Sequence, residues 1–201
     1  MGRLATNFAE KFRLNKGGRV FVFTSNIYEA IVAALACARI GCIHYLLNSA
    51  TPAKDVATQI DAFKPQLIFT TSHIYDSDSG IALPTKNMIA LIDKSIKDTE
   101  TWSKMRFIYV SNTDRKNEVP DEWTNYSDLI TAKTRISECV PLSPQDPLLL
   151  VLSSGTTGKP KYLVRSHLAS IAGSVTLRDS YNIKLGDTIS CLTQFGYSMY
   201  Y

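Results

Sequence analysis

Two kinds of segment alternate along the first 71 residues of the chain. Some are short and rich in β-branched and aromatic residues, as buried strands are: RVFVFT (19–24), CIHYLL (42–47) and QLIFTT (66–71). Between them lie stretches whose apolar residues recur at helical spacing. One starts at Asn26 and stops at Gly41, and the other has Thr51 as its cap and Pro52 in its first turn. This alternation of strand and helix predicts a parallel sheet covered by helices.

The pattern weakens between residues 72 and 144. A helix around Met88–Ile96 and a strand RFIYV (106–110) stand out there, whereas the tract from Ser111 to Asn125 is polar and rich in turn-forming residues. The N-terminal stretch MGRLATNFAEKF mixes charged and apolar residues in the manner of an amphipathic helix. We therefore expect an α/β fold in which βαβ units build a mostly parallel sheet flanked by helices.

A second ordered region begins at Asp146. Three strands are predicted in it: PLLLVL (147–152), YLVR (162–165) and DTISCLT (187–193). The first is a continuous apolar run, which is typical of a fully buried central strand. Ser166 is predicted to cap a helix that runs from His167 towards Leu177.

Composition and charge narrow the choice of function. At 201 residues and 45% hydrophobic, the chain can bury the core of one large domain or two small ones. Its net charge of +4 comes from 22 basic and 18 acidic residues spread along the chain, so we expect no concentrated basic face for nucleic acid. The longest apolar run, Ala30–Ala38, is shorter than the roughly 20 residues that a membrane-spanning helix needs. The N-terminus has no signal-peptide core, and we expect a soluble, intracellular protein.

The cysteines and histidines are interpreted as structural residues. Four cysteines form no CxxC pair and are expected to be buried, reduced thiols rather than disulfides or metal ligands: Cys37, Cys42, Cys139 and Cys191. His44 lies in a predicted strand and His167 at a helix start, where packing or capping explains them. His73 lies in a polar tract and receives no role. No metal site is predicted.

The candidate chemistry lies in residues 150–161, LVLSSGTTGKPK, where an apolar strand ends in hydroxyls, glycines and lysines. Phosphate oxygens need many donors, and backbone N–H groups converge on an anion only where side chains leave room. Gly155 and Gly158 allow that approach, and Pro160 stiffens the exit of the loop. Hydroxyl or ammonium donors come from the remaining residues: Ser153, Ser154, Thr156, Thr157, Lys159 and Lys161. The sequence therefore predicts a site for a triphosphate.

Two other interpretations of this loop compete with phosphate binding. The P-loop pattern G-x-x-x-x-G-K-[ST] opens a helix, but only two residues separate Gly155 from Gly158, a proline follows Lys159 and the next segment is a predicted strand. The P-loop is therefore excluded. A plain turn between two strands explains the glycines but not the four hydroxyls, and it stays open beside phosphate binding.

The stretch SSGTTGKPK resembles the signature loop of the adenylate-forming superfamily, which includes acyl-CoA synthetases, luciferases and peptide-synthetase adenylation domains. In that family the loop holds the β and γ phosphates of ATP. The resemblance assigns Ser153 to Lys159 to phosphate binding and Lys161 to catalysis, whereas the family has glycine at the position of Tyr162. Three further stretches are most similar to the short-chain, acetyl- and propionyl-CoA synthetase branch: GIALPTKNMIALIDKSI, ECVPLSPQDPL and YLVRSH.

The resemblance implies a reaction in two steps. A carboxylate attacks the α phosphate of ATP and releases pyrophosphate, and the acyl-adenylate then passes to the thiol of coenzyme A. ATP, Mg²⁺ and coenzyme A are the implied cofactors, and a small carboxylic acid is the implied substrate. Residues 1–201 would form a partial N-terminal adenylation domain without the C-terminal lysine-bearing domain, in a cytoplasmic or mitochondrial enzyme. We expect this part alone to be inactive.

The end of the chain, TQFGYSMYY (193–201), is similar to the family's entrance to the acyl pocket, which implies a substrate role for Gly196, Tyr197 and Ser198. Tyr197 stands where the family usually has tryptophan, and SHIYDSDSG (72–80) lacks the arginine that this branch uses for the coenzyme A phosphate. The competing hypothesis is a truncated or decayed copy that acts at most as a binding or interaction module. A third is an unrelated α/β protein with a chance turn.

Overall fold

The computed structural model describes residues 1–75, 84–96, 104–111, 119–131, 135–153 and 161–190. The helices in these ranges are α1 (Gly2–Glu10), α2 (Tyr28–Ile40), α3 (Ala53–Phe63), α4 (Met88–Ile96), α5 (Tyr126–Thr131) and α6 (His167–Ser180). The strands are β1 (Arg19–Thr24), β2 (Ile43–Asn48), β3 (Leu67–Thr71), β4 (His73–Tyr75), β5 (Pro84–Asn87), β6 (Arg106–Val110), β7 (Trp123–Asn125), β8 (Pro147–Ser153) and β9 (Lys161–Ser166). The elements predicted before residue 72, the helix at Met88 and the strand at Arg106 are confirmed.

Seven of the described strands form one sheet with the order β7-β6-β3-β1-β2-β8-β9. Neighbouring strands run parallel from β7 to β8, and β9 pairs antiparallel with β8 at the edge. Strands β4 and β5 form a separate antiparallel pair. The predicted α/β class with a mostly parallel sheet is therefore confirmed.

Helices cover both faces of the central strands. Helices α1, α2 and α5 pack on the face that carries Val20 and Val22 of β1, and we call this the α2 face. Helices α3 and α4 pack on the opposite, α3 face, which carries Phe21 and Phe23. Because successive strand residues point to opposite faces, a strand covered on both sides is apolar at successive positions, as VFVF (20–23) is within β1.

The two predicted helix ends differ in outcome. Gly41 ends α2 in the left-handed conformation with φ of 71°, as its position predicted. A Cβ atom there would lie 2.7 Å from Leu142 Cδ2, so glycine also permits the close approach of the segment before β8. The cap of α3 is Pro52 and not the predicted Thr51, because Pro52 has an extended ψ of 148° and helical geometry begins at Ala53.

Strand β8 is not the fully buried central strand that was predicted. Leu149 and Val151 are buried on the α2 face, but Leu150 and Leu152 are only half-buried on the α3 face. Strand β8 lies one strand from the edge of the sheet, where the cover of α3 ends.

The first four residues of β9 and most of α6 are exposed. We call Leu168, Ile171 and Val175 the α6 stripe, because their spacing puts them on one helix face and they are 50%, 61% and 40% exposed.

Three further predictions are wrong in the described residues. Residues 187–190, the described part of DTISCLT, form no strand, and Ile189 is 66% exposed; apolar content makes no strand unless a neighbour accepts the backbone hydrogen bonds. Trp123–Asn125, within the tract predicted to be irregular, forms β7, where Trp123 stacks on Phe107 with ring centroids 4.7 Å apart. Cys139 is exposed, whereas Cys37 and Cys42 are buried free thiols as predicted. Cys191 lies outside the described residues.

Candidate functional site

Strands β8 and β9 meet at the base of the predicted phosphate loop. Ser153, the last residue of β8, pairs in antiparallel register with Lys161, the first residue of β9. The side chain of Lys161 is exposed. The other predicted site residues lie outside the described residues: Ser154, Gly155, Thr156, Thr157, Gly158, Lys159, Gly196, Tyr197 and Ser198. Their assignments remain predictions.

The base of the loop lies at the carboxyl edge of the parallel sheet. Strands β1, β2, β3 and β8 run in the same direction, so their last residues lie along one edge: Thr24, Asn48, Thr71 and Ser153. Open α/β sheets bind ligands outside the carboxyl ends of their strands. The loop therefore starts and ends where this architecture provides a binding crevice.

Polar side chains stabilise the same edge, and sequence reasoning did not single them out. The hydroxyl of Thr70 donates to the carbonyl oxygen of Phe23 at 2.6 Å and so joins β3 to β1. Asn48 Oδ1 accepts from the backbone N–H of Ala50 at 2.8 Å in the turn that leads to α3. The sequence carries one sign of these residues: a polar residue follows the apolar run of each strand.

Tyr162, next to Lys161, extends from β9 to helix α3. Its hydroxyl donates to Gln59 Oε1 at 2.6 Å, and its ring meets the ring of Tyr45 edge-on with centroids 6.3 Å apart. Desolvation raises the pKa of Tyr162, so the hydroxyl stays protonated at neutral pH and can donate this hydrogen bond. Beside it runs a groove of about 290 Å³ lined by Arg19, Ile43, Ala62, Phe63, Leu150, Tyr162 and Val164. Tyr162, at the position where the adenylate-forming family has glycine, thus carries a side chain that connects β9 with α3.

The histidines at positions 44 and 167 lie near the opposite, amino edge. His44 pairs with Leu149, and Leu149 pairs with Arg165, which puts His44 and Arg165 on the α2 face. Burial, and secondarily the charge of the neighbouring His167, lower the pKa of His44 to about 4. Ser153 is four residues beyond Leu149, or about 13 Å along an extended strand. His44 is therefore a packing residue away from the loop.

An ion pair and a helix cap stabilise the amino edge of the sheet, near His167. Lys16 Nζ lies 2.6 Å from Asp146 Oδ2. The hydrogen bond from Lys16 is the main cause of the lowered pKa of Asp146. Ser166, rather than His167, caps α6, because Ser166 Oγ accepts from the backbone N–H of Ala169 at 3.2 Å. The predicted serine cap is confirmed.

The described ranges contain neither a cluster of metal-binding side chains nor a membrane-spanning helix. There, no group of three or more histidine, cysteine, aspartate or glutamate side chains is arranged to hold a metal ion. No helix in those ranges has the length and apolar character required to cross a bilayer. We assign no metal ligand to these residues.

Relatives of this chain are named as acyl-CoA synthetases. An acetyl-coenzyme A synthetase of Psychrobacter cryohalolentis is 30% identical over 198 residues, which cover 95% of this chain and 29% of the relative. The acetyl-coenzyme A synthetase of Leptospira biflexa is 29% identical with the same two coverages, 95% and 29%. The mitochondrial acyl-CoA synthetase short-chain family member 3 of Bos taurus is 30% identical over 77% of this chain and 22% of the relative. The chain thus spans less than a third of the length of these relatives.

The fold also matches a solved structure. An acetoacetyl-CoA synthetase from Streptomyces lividans superimposes with a TM-score of 0.81 over 99% of this chain and 29% of that chain, at 22% identity. The two share a fold over the matched part. The sequence model of the family described as AMP-binding enzyme matches residues 1–199. Because that match covers nearly the whole chain, the protein belongs to the AMP-binding enzyme family, as its resemblance to the adenylate-forming acyl-CoA synthetases predicted.

Proposed function

We propose that this chain is the ATP-phosphate-binding part of an acid–thiol ligase, which activates a short-chain carboxylic acid with ATP and transfers the acyl group to coenzyme A. The pairing of Ser153 with Lys161 carries the proposal, because it closes the base of the SSGTTGKPK loop at the carboxyl edge of the sheet. Relatives named as acetyl- and short-chain acyl-CoA synthetases support the choice of substrate.

The proposed chemistry depends on neutralising charge. A carboxylate oxygen attacks the α phosphorus of ATP, the bond to the bridging oxygen breaks, and pyrophosphate leaves with the electron pair. The loop from Ser153 to Lys159 donates hydrogen bonds to the β and γ phosphates, and the ammonium of Lys161 stabilises the charge on the leaving group. ATP is bound as its Mg²⁺ complex. The thiol of coenzyme A then displaces AMP from the acyl-adenylate.

The remaining roles follow from the same proposal. Gly196, Tyr197 and Ser198 border the acyl pocket, and residues 1–201 form part of an N-terminal adenylation domain. Partners are the carboxylate, ATP and coenzyme A, with no nucleic acid. We propose an intracellular enzyme, cytoplasmic or mitochondrial, since one matched relative is named as mitochondrial.

Hydrogen exchange tests nucleotide binding by the chain itself. MgATP is expected to slow amide exchange in a peptide covering residues 150–161, and Lys161→Ala combined with Thr157→Ala is expected to abolish that protection. Lys54→Ala, which removes an exposed ammonium on α3, is the matched control and should change nothing. Equal protection in the wild type and the double variant would show that the loop does not hold the phosphates.

Pyrophosphate exchange tests the reaction in a full-length enzyme that contains this chain. The carboxylate-dependent exchange rate should fall at least about a hundredfold in the same double variant, because removing one preorganised donor to developing charge costs about 3 kcal/mol. A rate equal to that of the Lys54→Ala control would contradict the proposed role of Lys161.

A non-catalytic binding module is the second candidate. The α6 stripe favours it, since three apolar side chains 40–61% exposed on one helix face provide a surface that another protein segment could cover. We define this candidate as a module that binds another protein segment through the α6 stripe and does not bind ATP. The hydrogen-exchange experiment therefore separates the two candidates.

A further inference from the structure

The start of β9 is attached to the rest of the fold at two places. The first is its ladder with β8, in which Lys161 pairs with Ser153 and Tyr162 with Leu152. The second is the side chain of Tyr162, whose hydroxyl donates to Gln59 Oε1 at 2.6 Å across to helix α3. Strand β9 is the edge strand of the sheet in the described ranges, and Leu163 and Val164 are 49% and 63% exposed. An exposed edge strand opens locally more easily than a central one, so a second attachment matters here.

Gln59 is held firmly enough to serve as an anchor. It is 9% exposed on α3, and its Oε1 also accepts from the hydroxyl of Tyr45 at 3.2 Å. One carbonyl oxygen has two lone pairs and can accept both hydrogen bonds. Tyr45 itself is 1% exposed, and its ring packs edge-on against Phe63 with centroids 5.5 Å apart. The anchor is therefore part of the core on the α3 face.

The direction of Lys161 depends on the face to which Tyr162 is attached. Successive residues of a strand point to opposite faces of the sheet. With Tyr162 attached on the α3 face, Lys161 must leave the strand on the α2 face, at the residue where the predicted phosphate loop ends. A twist of β9 about its own axis would redirect the ammonium group, and the contact with Gln59 opposes that twist.

We infer that Tyr162 is a positioning residue, which anchors the start of β9 to α3 through Gln59 and thereby sets the direction in which Lys161 leaves the sheet. The consequence for nucleotide binding rests on the proposed function, whereas the anchoring of β9 does not. Tyr162 acts through Lys161 and touches no substrate in this account.

Hydrogen exchange of the nucleotide-free, 201-residue chain tests the anchor. Tyr162→Phe keeps the ring and removes one hydrogen bond, so β9 amides should exchange about fivefold faster relative to β1 amides, the fold-change that corresponds to about 1 kcal/mol. Tyr45→Phe is the matched control. Tyr45 lies in the central strand β2, and this substitution removes the other hydroxyl that donates to Gln59. It should leave the β9-to-β1 ratio unchanged even if it lowers global stability.

Combining the substitutions shows whether Gln59 is the partner. Gln59→Leu should raise the β9-to-β1 ratio by itself, and Tyr162→Phe should then add no further change in that background, because the bond is already lost. A β9-to-β1 ratio in Tyr162→Phe that equals the wild-type ratio would overturn the inference, whether or not the chain binds nucleotide.

Affinity for a non-hydrolysable MgATP analogue tests the consequence for Lys161. The dissociation constant should rise about fivefold in Tyr162→Phe, for the same energetic reason, and stay at the wild-type value in Tyr45→Phe, a difference that a loss of general stability would not produce. Equal constants in all three proteins would refute the link to Lys161. If the wild type binds no analogue, the proposed function fails, and the exchange ratio alone decides whether Tyr162 anchors β9.

Discussion

Protonation of His44 should destabilise the protein as the pH falls. His44 is 3% exposed in β2, and its Nδ1 has no hydrogen-bond partner among the described residues. Burial and the nearby His167 lower its pKa from 6.5 to about 4. Asp146, whose backbone carbonyl accepts from the N–H of His167, is already paired with Lys16.

The magnitude follows from proton linkage. Between pH 6.5 and 4 the unfolded chain binds a proton at this histidine that the folded chain does not, so stability rises with pH in this window. The whole difference corresponds to about 3 kcal/mol, at about 1.4 kcal/mol per pH unit. The part lost between pH 7 and pH 5 is about 2 kcal/mol.

Urea denaturation, followed by circular dichroism at pH 7 and pH 5, measures the contribution of His44 to the unfolding free energy. In His44→Leu the fall in unfolding free energy between the two pH values should be smaller than in the wild type by about 2 kcal/mol. In His167→Gln most of the dependence should remain, because burial is the larger cause of the lowered pKa of His44. The same fall in His44→Leu and the wild type would refute the reasoning.

Three further outcomes are expected. Gly41→Ala should lower the unfolding free energy by about 1–2 kcal/mol, because Gly41 has φ of 71°. Gly173→Ala, in an open position inside α6, should instead raise it by about 0.5–1 kcal/mol. Equal effects of the two substitutions in urea denaturation would contradict this account. Ile171→Glu with Val175→Lys should reduce binding of a hydrophobic fluorescent dye without changing the unfolding midpoint, because both side chains are exposed; unchanged dye fluorescence would show that the α6 stripe is not the accessible apolar surface. The purified 201-residue chain should make no acyl-CoA in a thioester assay. Measurable turnover would show that the parts of the relatives that this chain does not cover are not needed for the reaction.

Local chemistry explains why several elements were predictable. Strand β1 is apolar at successive positions, and α2 combines helical periodicity with a glycine that can adopt positive φ, so neighbours along the chain suffice to identify both. The serine cap of α6 is equally local, since Ser166 Oγ bonds three residues ahead. The phosphate loop was recognisable for a similar reason: its donors and glycines are contiguous in the sequence.

Other features depend on partners that are distant in the sequence. Strand β7 forms from Trp123–Asn125 because β6 offers a parallel edge and Phe107 a stacking surface, neither of which is visible in a polar tract. Residues 187–190 show the reverse case: this part of a predicted strand pairs with no described strand, and Ile189 is 66% exposed. The exposure of β8 on one side likewise reflects its place near the edge of the sheet.

By itself, the sequence determined the α/β class, the order of most elements and a loop suited to phosphate, because periodicity, turn residues and donor clusters are properties of short segments. Only the tertiary structure decided that β8 returns to the side of β2, that the loop is closed at the carboxyl edge and that Tyr162 meets Gln59, 103 residues away in sequence. The physical reason is that each of these depends on which surfaces the packed helices leave available, and that follows from burial of the whole core and not from any one segment.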